Sequence, residues 1–308
     1  MKNDTLFHRF LELTIGEGTP LTVEDLHVVI NMQTTDTTKP YIASIKIYNL
    51  AYENYLKIQK GTAIKIDAGY KDNHSVIFDG KVHASRYGRI NTVDTFTDIR
   101  CIAGAEFTKE FLNTTIKKDS KFTDVAEFVG KSTTYEMNNN VKTISETRLI
   151  KSKTILNYPG LELSYFSKAN NVFFIYRASS KTIDFVDLQS SFTLSPIILT
   201  PKTGLIGRPE ITLEGIKGRS LLNKDITIGS TLKIEKDLID DYYDKATYAQ
   251  MVKAKPAYDV NNLYFVYQMS YSLDTRGQDW YVDFLCIDTK NVRAVFGKQF
   301  ALIDGGVN

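Results

Sequence analysis

The chain is 308 residues long, 43% hydrophobic and 24% charged, enough for two or three domains that bury their own cores without covalent staples. Lys and Arg exceed Asp and Glu by only two, so no strong global field points to nucleic acid or an anionic membrane as the main partner. No run approaches the roughly 20 apolar residues of a membrane span, and the start, MKNDTLFHRF, lacks the basic-then-apolar layout of a signal peptide, so folding in a cytoplasm is expected.

Tyr and Phe number 18 and 17 against a single Trp, and Ile and Val are common, which predicts a mainly β fold with minor α. From Tyr41, YIASIKIYN sets Ala43, Ile45 and Ile47 on one face and Ser44 and Lys46 on the other, as in a half-buried strand. After the Tyr48-Asn49-Leu50 turn, Leu50 to Lys60 reads as a short helix with Ala51, Tyr55 and Ile58 inward, closed by Gly61. A strand follows through Ile64, Ile66 and Ala68. The stretch Gly69, Tyr70, Lys71, Asp72, Asn73 carries turn chemistry, and Val76 to Val82 returns antiparallel with Gly80 as a bulge or close-approach point. Arg86 to Asn91 reads as a second hairpin tip, and Thr92 to Ile102 completes five or six strands, enough for a small antiparallel barrel or sandwich.

Between Glu106 and about Thr200 the pattern changes to that of a separate α+β lobe. Phe122, Val125, Ala126 and Val129 have helical spacing behind a cap at Asp119 or Ser120. Asn138 to Asn140 is a loop, Asn171 to Arg177 and Thr182 to Leu188 form a hairpin around Ala178 to Lys181, and the Pro196 and Pro201 region leads back to β structure. From about Gly204 a second module begins with a strand at Ile211 and Leu213, a Leu221-Leu222-Asn223 turn, and Gly229 before Leu232 and Ile234. Leu263 to Leu273 and Asp279 to Ile287 close it as a long hairpin across Asp274, Thr275, Arg276 and Gly277.

The two modules repeat each other. IQKGTAIKI at Ile58–Ile66 recurs as ITIGSTLKI at Ile226–Ile234, 168 residues on, and TDIRCIA at Thr97–Ala103 recurs as VDFLCID at Val282–Asp288, 185 residues on. Val282, Phe284 and Cys286 thereby match Thr97, Ile99 and Cys101, and the 17-residue growth in spacing falls in the Tyr-, Asp- and Lys-rich stretch Ile239 to Asn262. The expected boundaries are 1–105 for the first module, 106–200 for the lobe, 201–295 for the second module and 296–308 for a glycine-rich C-terminal tail.

Catalytic constellations are not found. His8, His27, His74 and His83 form no HExxH pair and lie at no ligand spacing from a cysteine. There is no GxSxG elbow and no P-loop, and Gly16-Glu17-Gly18 lacks the rest of a dinucleotide fingerprint. Two carboxylates would suffice for a glycosidase, and Glu106 with Glu110, or Asp240, Asp241 and Asp244, are the nominees; the first pair flanks a domain junction and the others sit in a solvated insertion. The Asp240 loop also lacks the regular oxygen-ligand spacing of a Ca²⁺ site. Cys101 and Cys286 read as small core residues and not as a disulfide. No cofactor, metal or catalytic residue is expected.

The run ASIKIYNLAYENYLKIQKGTAIKIDAGY followed by VIFDGKV resembles the first barrel of the baseplate central hub proteins of contractile-tailed phages, Mu-like ones included, and of related tailocins and injection machines. SLLNKDITIGSTLKI is similar to the second-barrel signature of that family, and the resemblance runs from about Tyr41 to Ile287. Its motif positions here are Tyr48, Asn49, Leu50, Gly61, Gly69, Tyr70 and Gly80 in the first copy and Leu221, Leu222, Asn223 and Gly229 in the second.

The resemblance implies two tail-tube-like antiparallel β-barrels with an inserted lobe. It implies a homotrimer whose six barrels continue a hexameric tail tube and attach a trimeric spike, in a virion tail baseplate assembled in the host cytoplasm. The implied partners are the tail tube protein, the spike and other baseplate proteins, with genome DNA only as passing cargo and no catalysis. A carbohydrate- or receptor-binding β protein, suggested by Tyr-rich hairpins and the Tyr87 to Asn91 stretch, is the competing reading, followed by a glycosidase and a single-barrel tube protein.

Overall fold

Alternating apolar and polar side chains commit one face of each strand to a core, and most of the chain is built on that rule. The computed structural model describes residues 8–34, 40–109, 111–133, 135–139, 148–170, 172–187, 195–212, 215–240 and 261–288. The first module comprises β1 (Arg9–Ile15), β2 (Leu21–Val23), β3 (Val28–Thr34), β4 (Tyr41–Tyr48), a one-turn α1 (Tyr52–Tyr55), β5 (Ala63–Tyr70), β6 (Asn73–Arg89) and β7 (Thr95–Ala103). The lobe comprises α2 (Glu106–Lys109), β8 (Leu112–Ile116), α3 (Phe122–Lys131), β9 (Glu136–Asn139), β10 (Lys153–Asn157), α4 (Pro159–Asn170), β11 (Val172–Arg177) and β12 (Thr182–Asp187). The second module comprises β13 (Ile197–Ile198), β14 (Leu205–Thr212), β15 (Gly215–Leu221), β16 (Thr231–Lys233), β17 (Leu263–Asp274) and β18 (Trp280–Asp288).

Both modules belong to one 13-stranded sheet, in the order β14-β15-β18-β17-β3-β4-β7-β6-β5-β1-β2, with β16 also on β17 and β13 parallel to β16. The fold is mainly β and antiparallel. The strand at Tyr41–Tyr48 buries Tyr41, Ala43, Ile45 and Ile47 and turns Ile42 and Ser44 outward, as its alternation dictates.

Several local expectations need correction. Leu50 to Lys60 is not a helix beyond the single turn Tyr52–Tyr55, Ala51 is exposed, and only Leu50 and Ile58 of this stretch reach the core. The strand at β6 runs on to Arg89, so the second hairpin tip is Ile90 to Asp94. Helix α3 starts after Lys121, whose N–H is bound by the Asp124 carboxylate at 2.8 Å; the expected caps Asp119 and Ser120 precede it, with Asp119 at φ 67°. Three further strands precede Tyr41, in which Leu11, Leu13 and Ile15 and then Val28, Ile30 and Met32 alternate inward.

The lobe packs Val125, Ala126 and Val129 of α3 and Leu163 and Phe166 of α4 onto Phe174, Ile183 and Phe185 of its small sheet. It is fastened to both modules through the β11–β12 hairpin and Tyr135. Tyr41 donates to the Tyr176 carbonyl at 2.5 Å, the Tyr135 and Tyr176 hydroxyls share a bond of 2.7 Å, and the Gly104 N–H donates to Tyr135 at 3.1 Å. At the β11–β12 tip Lys181 pairs with Asp79 of the first module at 3.1 Å, while Arg177 donates to Thr227 and the Ile228 carbonyl of the second at 3.1 and 3.3 Å. Among the described residues, no helix is long and apolar enough to cross a membrane.

Candidate assembly site

Each module contains the same five-strand unit, β3–β7 in one and β14–β18 in the other, and the correspondence reaches individual hydrogen bonds. Gly61 and Gly229 have φ of 92° and 91°, the left-handed region open to glycine. The Gly61 N–H donates to the Val82 carbonyl at 2.7 Å and the Gly229 N–H to the Val266 carbonyl at 2.8 Å. The return bonds are Val82 N–H to Thr62 at 2.8 Å and Val266 N–H to Ser230 at 3.0 Å. Just beyond, an extra residue bulges each hairpin strand, His83 in one and Tyr267 in the other, next to the pairs Val82↔Cys101 and Val266↔Cys286. Such a bulge bends the strand and increases its twist, so both copies turn the same corner. Burial pushes the Cys101 thiol up to about 12 and the Cys286 thiol up as well; both are free and buried.

The other motif positions close the ends of the unit. Tyr48 N–H donates to the His27 carbonyl at 2.9 Å and Leu221 N–H to the Gly204 carbonyl at 2.8 Å, and Asn49 and Leu222 donate to Thr95 and Trp280 at 3.0 and 2.9 Å. Leu50 and Leu222 are buried, and Asn223 accepts from the Asp225 N–H at 3.0 Å. Asn49, at φ 55°, also accepts the Thr95 N–H at 2.8 Å. Gly69 gives its carbonyl to the Trp280 indole at 3.1 Å and faces His74 so closely that a Cβ would lie 2.5 Å from its Cα. Tyr70 is buried beside it. Gly80 lies at a close approach and not at a bulge: it pairs with Ile64, and a Cβ there would meet the Ile102 carbonyl at 2.8 Å. These positions therefore lie at several turns and approaches across both modules, not in one cluster.

The modules join edge to edge where Met269 to Asp274 of β17 pair with Val29 to Thr34 of β3. The β17–β18 tip is gripped by the first module. Arg9 donates to the carbonyls of Asp274, Gly277 and Gln278 at 2.9, 2.6 and 2.9 Å, Thr275 Oγ1 accepts the Val28 N–H at 2.9 Å, and the Thr275 N–H donates to the Val28 carbonyl at 3.0 Å. His27 bonds the Asp274 carboxylate at 2.9 Å while its ring stacks on Tyr48 at 4.4 Å. Burial pushes that carboxyl up, but the N–H groups of Arg276 and Gly277 and the His27 ring outweigh it, leaving the group below its ordinary value. None of Arg9, Asp274 and Thr275 was singled out from sequence as a contact residue; the alternation of RFLELTI and VVINMQT was the available signal.

Among the described residues the equivalent edge of the first module has no such partner. Beyond Ala84, β6 pairs with β7 on one side, and among the described residues no strand covers the other. Tyr271 and Leu273 of β17 are 7% and 1% exposed, whereas their counterparts Tyr87 and Arg89 are half-buried and exposed. Tyr87 packs with Tyr52 and Tyr55 at 5.2 and 5.4 Å between ring centres, and the neighbouring Ile90 and Val93 are 56% and 84% exposed.

The chemical nominees do not converge. Glu106 lines a cleft with Lys60, Lys81, His83 and Lys109, as its one carboxylate among the described residues. Glu110, Asp241 and Asp244 lie outside the described residues. Asp240 bonds backbone groups of β14: its N–H donates to Pro209 at 2.7 Å and its carbonyl accepts from Ile211 at 3.3 Å. His74 is held by Asp67 at 2.9 Å and lies 4.0 Å from the Phe10 ring. No group of potential metal ligands occurs among the described residues.

No family model and no curated protein matches this chain. Solved structures do. A 43 kDa tail protein of prophage MuSo2 from Shewanella oneidensis is similar with a TM-score of 0.61 at 8% identity, over 91% of this chain and 98% of that one. A tail protein from Neisseria meningitidis MC58 is similar with a TM-score of 0.60 at 8% identity, over 94% and 99%. The E. coli c3393 protein, a type VI secretion component with structural similarity to the T4 bacteriophage tail proteins gp27 and gp5, has a TM-score of 0.57 at 13% identity, over 89% and 76%. The chain thus has the fold of phage tail proteins and of a related secretion component.

Proposed function

We propose that this protein is a structural hub of a contractile tail baseplate. Three copies form a ring in which each chain supplies two similar β modules, so that six modules meet a sixfold tail tube at one end and a threefold spike at the other. The observation that carries this reading is the repeat of the five-strand unit down to individual hydrogen bonds, joined edge to edge through β17 and β3, in a chain with a phage-tail fold. Duplication joins two symmetries because each module keeps the ring contact while its loops diverge. The divergence sits between β16 and β17, where the second copy carries its extra residues, and in α1, which only the first copy has. Residues 241–260 of that insertion lie outside the described residues.

In this reading the partners are the tube protein, the spike and neighbouring baseplate proteins; DNA passes through, and the chain performs no catalysis. Domain limits follow the modules, with the lobe fastening both. The decisive experiment is native mass by light scattering, with and without a co-expressed spike protein. A species of about three times 34.9 kDa that adds three spike chains is expected, and a monomer under both conditions overturns the reading.

The Tyr52, Tyr55 and Tyr87 cluster favours a second reading, a sugar-stacking platform on a tail protein without a hub role. Saturable glycan binding by the monomer, lost in Tyr87→Ala, would select it.

A further inference from the structure

Among the described residues the two modules meet in one edge-to-edge contact, and no strand covers the equivalent edges of β6 and β14. We propose that the free edge at the tip end of β6, Arg89 to Asn91, receives the leading residues of β14, Leu205 to Gly207, from a second copy of this chain, in the register by which β17 receives β3. This rests on the hub reading and names the surface through which its copies would meet.

The register follows from equivalences already fixed by hydrogen bonds. Arg89 stands opposite Thr95 as Leu273 stands opposite Trp280, and Leu205 stands opposite Ser220 as Val28 stands opposite Ile47. The internal pairs Asp274↔Val29 and Leu273↔Ile30 therefore translate into Ile90↔Ile206 and Arg89↔Gly207 between chains. Ile90 donates its N–H to Asp94, so by antiparallel alternation the peptide groups of Tyr87 and Arg89 face away from β7, toward the uncovered side. An uncovered edge of this kind is a template for another strand.

The hairpin tips support the same pairing. In the second module the tip is held by Arg9, Asp25, Leu26 and His27, the last three immediately preceding β3. In the first module Ile90 and Val93 stand exposed, and the turn immediately preceding β14, Pro201 to Thr203, is exposed too. Contact between copies would bring these two surfaces together.

The structure also limits the contact. Further along β14, Gly207 at φ 68°, Pro209 and the bonds to Asp240 bend and cover the edge, and the outward Leu205 N–H already donates to the Thr200 carbonyl at 2.9 Å, so the contact is confined to the first three residues and does not use that N–H. A short head-to-tail contact joins one copy to the next, and a ring forms if the rotation closes.

The test is Ile90→Cys with Ile206→Cys in the full chain. The two positions correspond to a pair without backbone hydrogen bonds, where Cα atoms approach to about 4.5 Å, within disulfide reach. The native cysteines are buried and do not compete. Under mild oxidation the double variant is expected to give covalent dimers and trimers on a non-reducing gel, each single variant none, and a mixture of the two single variants nothing beyond a dimer. A shifted pair, Ile90→Cys with Arg208→Cys, should cross-link at least tenfold less; equal cross-linking overturns the register. A native trimer without cross-linking overturns this inference and leaves the hub reading standing, whereas a monomer at every concentration, with no cross-link, overturns both.

Discussion

Gly61 and Gly229 share one backbone conformation, φ 92° and 91°, and one hydrogen bond, yet their surroundings differ. A Cβ on Gly61 would meet nothing within 4 Å, whereas on Gly229 it would lie 2.2 Å from Ile175 of the lobe. Gly61→Ala is therefore expected to lose only the conformational term, about 1–2 kcal/mol. Gly229→Ala adds overpacking of about 1–3 kcal/mol. Urea denaturation midpoints of the two variants should fall in that order; equal losses would refute the packing difference.

Asp274 titrates below its unfolded value because the N–H groups of Arg276 and Gly277, at 2.9 and 2.6 Å, and His27 prevail over the burial that acts against its charge. A depressed carboxyl stabilises the fold above its unfolded value of about 3.9 and loses that contribution as pH falls through the folded value. Asp274→Asn should be less stable than wild type at neutral pH, with the gap closing through the acidic range. A gap independent of pH would show that charge at this position does not matter.

Arg9 serves three carbonyls of one tip and lies 5.4 Å from the Trp280 ring. Because the residue is exposed, Arg9→Ala should cost only about 1 kcal/mol globally. Locally, the amides of Arg276 to Gln278 should exchange hydrogen faster by mass spectrometry. Arg9→Lys should recover little, since one ammonium cannot reproduce the planar fork.

The alternating strands from Tyr41 onward and the lobe hairpin were legible because each commits one face to a core. The turn glycines stood out because the conformation they hold is open to few other residues. The stretch after Leu50 misled for a physical reason: its Tyr, Leu and Ile spacing suits a helix, but only Ile58 has core to reach, and the second copy spans the same gap in fewer residues. The assembly site was not legible, since an unpaired edge depends on strand order and not on the side chains of β6. Arg86 to Asn91 reads as a hairpin tip until β17 shows what its counterpart touches.

Tyr135 and Tyr176 are not equivalent members of their pair. Burial pushes the Tyr135 phenol up to about 12, and Tyr135 alone accepts from the Gly104 N–H. Tyr135→Phe leaves that buried donor unpaired and should cost about 1–3 kcal/mol. Tyr176→Phe, which leaves the Gly104 bond in place, should cost less. Thermal melts of the two single variants distinguish them.

Cys101 and Cys286 should both resist a thiol reagent such as Ellman's reagent at pH 8 and react stoichiometrically in guanidinium, since burial and raised thiol values act together. Rapid labelling of either thiol in the native protein would contradict the equivalence of the two bulged hairpins.

The join between β3 and β17 also sets a timetable. His27 and its partner Asp274 are separated by 247 residues. A ribosome adding about 5–20 residues per second needs roughly 12–50 seconds to cover that distance. Throughout that interval β3 can fold onto β4 while its outer edge waits for a strand not yet made. The same edge is meanwhile open to the β3 of a neighbouring nascent chain, so the yield of correctly folded protein should depend on how far apart ribosomes travel on the message.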